Sequence, residues 1–146
     1  MKTMSVEDLR TKKHSDLLEL AVRDARAVAK RQGVVLSMNA LANDIGDGKC
    51  YVCMAGAVML QSLGMSPDTT ETNACLELYD KEGSPFAVIN NMRFGLFDSV
   101  RSNDTAVLDV LEDARALIKQ NYDRKKGRAS WETYLRVAKM LRSVGQ

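Results

Sequence analysis

Cys50-Tyr51-Val52-Cys53-Met54-Ala55-Gly56-Ala57-Val58-Met59-Leu60-Gln61-Ser62-Leu63-Gly64 is apolar nearly all round until Gln61. A helix with no polar face has no side to offer to water, so it belongs inside a fold. The small residues Ala55, Gly56 and Ala57 would let a neighbouring helix approach closely. Gly64 ends the run and Pro67 prevents its resumption. The stretch predicts a mainly α fold: a single-domain helical bundle around a central apolar helix, with the segment Val52–Leu63 as the hub on which the terminal helices dock.

Outward from this hub, the flanking segments supply amphipathic partners. From about Val6 to Gln32, the residues Leu18, Ala21, Val22, Ala25, Val28 and Ala29 follow helical spacing, with Ser5 as a cap and Gly33 as a stop. The polar run Thr11-Lys12-Lys13-His14-Ser15 interrupts the stripe. Either one helix has an exposed first part, or Ser15 caps a second helix. Val34–Met38 reads as a short strand or an extended connection, and Asn43–Gly48 as a turn-rich loop.

The segment 74–89 reads either as a small β-hairpin or as two helices. Ser84, Pro85 and Gly95 favour a helix over Phe86 to Phe94, because cap, first-turn proline and closing glycine agree. Two C-terminal helices follow. Val107, Val110, Leu111, Ala114, Leu117 and Ile118 make one stripe after Asn103-Asp104. Trp131, Tyr134, Leu135, Ala138 and Leu141 make the other after Ser130.

The chain of 146 residues fits one domain, residues 1–146, and is long enough to bury a core without staples. Apolar residues make up 45% and charged residues 27%, the balance of a globular protein. No apolar run reaches the roughly 18 residues that a bilayer needs. The early acidic residues Glu7 and Asp8 argue against a signal peptide. The odd count of 3 Cys suits reduced thiols, so a cytoplasmic location is expected. The net charge of +2 is too small to declare a partner. Bases nonetheless dominate from Arg115 onward, and they are densest at Arg124, Lys125, Lys126 and Arg128.

The run Cys50-x-Val52-Cys53-x-Ala55-Gly56-Ala57 resembles a motif of small uncharacterised proteins of tailed phages and prophages. In these, a second element of the form aliphatic-Asn/Asp-x-x-Arg-x-Gly follows; here it is Ile89-Asn90-Asn91-Met92-Arg93-Phe94-Gly95. Residues Asp80 to Pro85 stand as an addition ahead of it. The resemblance spans about a third of the chain. It implies a phage origin and action in a bacterial cytoplasm, and it brings no activity with it.

Candidate chemistry is sparse. Cys50 and Cys53 form a C-x-x-C, whose redox use needs a thiol pKa lowered by a helix N-terminus. The intervening pair is Tyr-Val and no βαβ pattern precedes it. With Cys75 and His14, the two thiols make up the number of ligands that structural zinc requires, but the second paired spacing is missing. The simpler reading packs both thiols as small hydrophobes, without metal or cofactor. His14, beside Lys12 and Lys13, reads as solvated surface.

Arg124, Lys125, Lys126 and Arg128 could grip phosphates, with Tyr122 and Trp131 flanking them for base stacking. The competing reading is a solvated loop with Trp131 in the core. Asn90, Asn91 and Arg93 are candidates for a polar cluster tying loops to the core. The expected function is that of a non-catalytic phage-type accessory protein binding a bacterial host protein. The alternatives are a nucleic-acid-associated protein using the basic C-terminal third, or a small Cys-based metal or redox protein. No membrane contact is expected, and the sequence does not set an oligomeric state.

Overall fold

The computed structural model describes residues 4–38, 42–44, 50–65 and 84–146. Among these residues, helices α1 (Val6–Arg10), α2 (His14–Val28), α3 (Met54–Gln61), α4 (Pro85–Arg93), α5 (Thr105–Asn121) and α6 (Trp131–Ser143) dominate. A three-stranded sheet is formed by β1 (Val34–Leu36), β2 (Ala42–Asp44) and β3 (Cys50–Val52). The protein is mainly helical. Most of the 74–89 alternative, Pro67 and Cys75 lie outside the described residues.

The polar interruption near the N-terminus divides two helices. Ser5 and Asp8 close a capping box on α1, with the Asp8 amide donating to Ser5 Oγ at 3.2 Å and the Ser5 amide to Asp8 Oδ2 at 2.9 Å. Ser15 does not cap α2. Lys13 holds the N-cap position and offers no side-chain acceptor, and Ser15 is buried inside the helix. The Ser15 amide donates instead to the Gln146 carbonyl at 2.9 Å.

That carbonyl is delivered by the turn that ends α6. The Gln146 amide bonds back to Leu141 and the Gly145 amide to Arg142, with Gly145 at φ 77°. This is the Schellman arrangement, which needs a left-handed residue at the glycine. The end of one helix thus satisfies the open start of another.

The apolar segment is buried from Val52 through Leu60 and again at Leu63. Its first residues are not helical, however. Cys50–Val52 pair in parallel with Val34–Leu36 and antiparallel with Ala42–Asp44. Tyr51 and Val52 favour extended backbone, and the extended residue Cys53 then caps α3, its Sγ accepting from the Gly56 amide at 3.5 Å. The loop expected at Asn43 therefore begins with a strand, and an antiparallel pair forms there.

Packing is shared differently from the simplest expectation. α2 lies between α3 and α6 and makes the most extensive helix contacts with both, while α5 packs on α6. Leu17, Leu18, Ala21, Val22, Ala25 and Val28 supply that double-sided surface. α4 follows most of its local signals, with Pro85 in the first turn and Gly95 at φ 80° closing a second Schellman turn through Gly95–Met92 and Leu96–Asn91 bonds, but Ser84 holds the N-cap position without a side-chain capping bond. Asp104 caps α5 through the Ala106 amide, and Ser130 caps α6 through the Thr133 amide. No helix among the described residues is long and apolar enough to cross a membrane.

Candidate functional site

The basic loop between α5 and α6 is built around Asp123. Its Oδ1 accepts from the amides of Lys125 at 2.9 Å and Lys126 at 3.2 Å. Its carbonyl accepts from Gly127 at 2.8 Å, and its amide donates to the Arg128 carbonyl at 2.9 Å. An Asp side chain that binds the backbone two residues on is a strong turn former. One oxygen of the carboxylate within the loop is thereby occupied by backbone amides. Arg124, Lys125 and Lys126 project to solvent.

Gly127 seats this loop on the protein. It has φ 70°, and a Cβ there would lie 2.8 Å from Met38 Cβ. Only a glycine permits so close an approach in that conformation. A groove of about 430 Å³ results, walled by Leu36, Ser37 and Met38 on one side and residues 124–128 on the other.

Beneath the loop, three separated segments are tied together. Arg93, only 7% exposed, donates from Nη1 to the Met38 carbonyl at 2.7 Å. Tyr134 Oη donates to the Arg93 carbonyl at 2.7 Å and accepts from the Ala129 amide at 3.0 Å. Burial pushes the Tyr134 phenol up to about 12, so the proton this network needs is retained at neutral pH. Asn90 and Asn91 are half-buried on the same helix, and the Asn91 carbonyl closes its terminal turn.

Arg128 differs from its basic neighbours. Its guanidinium lies 3.5 Å from the Trp131 ring centroid and donates to the Ala129 carbonyl at 2.8 Å. Half-buried there, it has a pKa lowered by desolvation. Trp131 packs partly buried against the core. Both residues serve the loop's architecture, which leaves Arg124, Lys125 and Lys126 as its outward charges.

An aromatic pair borders the same corner. The Phe94 and Tyr122 rings stack at 6.0 Å between centroids and 29° between planes, and the Arg93 guanidinium lies 4.2 Å from the Phe94 centroid. Phe94 is 40% exposed, unusual for so large an apolar side chain. Tyr122 directly precedes the loop. The sequence singles out Tyr122 for this corner, but not Phe94, Met38 or Tyr134. An aromatic residue just before a helix-closing glycine was the available signal for Phe94.

The metal candidates are scattered. Cys53 is buried at the start of α3, and burial pushes its thiol up, opposite to what redox chemistry needs. Cys50 lies on β3, and Cys75 falls outside the described residues. No group of three ligating side chains gathers among the described residues. His14 is not the solvated residue its neighbours suggest. It is half-buried, its Nε2 lies 2.7 Å from Ser99 Oγ, and burial lowers its pKa.

Comparison with known protein families, curated proteins and solved structures gives no match.

Proposed function

We propose that the basic corner binds nucleic acid without catalysis and favours single strands. The observation that supports this is a preset loop presenting Arg124, Lys125 and Lys126 beside the Phe94–Tyr122 pair. Cationic side chains follow a phosphate backbone, and aromatic faces accept unpaired bases of any sequence. The groove against Leu36–Met38 gives the backbone a track. The loop's acid, Asp123, has its Oδ1 turned to backbone amides.

The test is binding of labelled single-stranded and duplex oligonucleotides across a salt series. Each lost phosphate contact on a single strand lowers the slope of log K against log salt by about 0.7. Changing Arg124, Lys125 and Lys126 together to Gln should therefore reduce the slope by about 2. Phe94→Ala should weaken single-strand binding more than duplex binding. Absence of any shift at low salt ends this reading.

A second reading follows from the phage-type resemblance: contact with a bacterial host protein in the cytoplasm. It is favoured by Leu108, which stands 48% exposed on α5, with half-buried Val110 and Leu111 on the same helix. A stoichiometric bacterial partner captured by the native protein and lost in Leu108→Asp would support it.

A further inference from the structure

We propose that Ser99 and His14 form a nucleophile–base pair that accepts acyl groups from short-chain esters. This proposal is independent of the basic corner. The two residues, 85 positions apart in the chain, meet with Ser99 Oγ 2.7 Å from His14 Nε2. Both line a cavity of about 180 Å³, together with Leu9, Leu17, Pro85 and Val88. Those apolar walls suit a short acyl chain, and Arg10 and Lys12 are the cations at the same cavity.

Both partners sit on fixed supports. Ser99 occupies a tight turn closed by the Val100 amide donating to the Phe97 carbonyl at 2.9 Å, and Phe97 anchors that turn in the core. His14 is the first residue of α2, whose start is held by the Ser15–Gln146 bond. Burial lowers its pKa and so favours the neutral imidazole, the form that can take a proton. Ser99 is itself exposed, which leaves Oγ open to an incoming ester.

In the reaction, Ser99 Oγ attacks the ester carbonyl carbon while His14 Nε2 takes the hydroxyl proton. Arg10 and Lys12 offset the charge on the carbonyl oxygen. The carbon–oxygen bond to the leaving alcohol breaks, and the imidazolium returns its proton to that alcohol. Water, deprotonated by His14, then cleaves the acyl-Ser99 ester, releasing the acid and restoring the hydroxyl. No carboxylate orients the imidazole among the described residues, so turnover is slow and the acyl-enzyme is the species to detect.

The experiment treats the full chain with a fluorophosphonate probe and, separately, with p-nitrophenyl acetate, followed by intact mass and peptide mapping. A single adduct on Ser99 is expected. It should be absent in Ser99→Ala and formed about 100-fold more slowly in His14→Gln. Circular dichroism melting of both variants checks that they are folded. The labelling rate of the wild-type chain should rise with pH to a plateau with its midpoint below the ordinary histidine value. Labelling spread over several serines, no labelling of the folded wild-type chain, or an undiminished rate in a folded His14→Gln would overturn the proposal.

Discussion

The hydroxyl of Tyr134 does two jobs at once, donating to the Arg93 carbonyl and accepting from the Ala129 amide, both in the interior. Tyr134→Phe leaves a buried donor and a buried acceptor without partners, a loss worth about 1–3 kcal/mol for each. Urea unfolding should show a lower midpoint with an unchanged slope. Asp24, on α2, is a second buried polar residue, 1% exposed. Ser62 Oγ donates to one carboxylate oxygen, and Arg23 Nε lies 3.5 Å from the other. Burial dominates and raises its pKa above the ordinary 3.8. The folded state therefore binds this proton more tightly than the unfolded chain does. The resulting cost is fully present above the raised pKa and is relieved as pH falls through it toward 3.8. Asp24→Asn keeps an acceptor for Ser62 and should flatten this part of the pH–stability curve, measured by urea midpoints across mildly acidic pH. An unchanged curve would show that Arg23 compensates the burial.

Among the elements, the two glycines at Gly33 and Gly127 separate backbone strain from crowding. Both have positive φ, 79° and 70°, yet a Cβ at Gly33 meets nothing within 4 Å, whereas one at Gly127 strikes Met38. Gly33→Ala should cost only the left-handed penalty, about 1–2 kcal/mol. Gly127→Ala should cost more and should also weaken oligonucleotide binding, because the loop must lift from Met38. Thermal melts with matched binding titrations check both. The helix boundaries that the sequence made legible are those set by neighbours in the chain: Ser5, Pro85 with Gly95, Asp104, and Ser130; Gly33 is not among them, because α2 ends at Val28. The sheet was hidden because Val34 finds Cys50 only in three dimensions. The partner of the start of α2 was hidden for the same kind of reason. It is the carbonyl of Gln146, at the far end of the chain.

Across the whole molecule, α2 joins the buried apolar segment to the C-terminal helix, and two kinds of contact hold α6 to it. Leu141 is fully buried, while Arg142 reaches Asp16 and Glu19 at the surface. Leu141→Ala should cost about 2–5 kcal/mol. Arg142→Ala should barely move the unfolding midpoint, since exposed ion pairs contribute little. Equal losses in the two variants would mean that the surface pairs align the helices. The sites were legible at this scale only in part. The basic loop stands out as a run of charges, but Phe94 approaches Tyr122, and Ser99 approaches His14, through folding alone. The seating of Gly127 on Met38 also has a kinetic consequence. A ligand arriving at the basic corner meets a loop whose backbone is already held in place, so capture should follow collision in one step. In stopped-flow mixing, the observed rate should climb in proportion to oligonucleotide concentration and show no plateau.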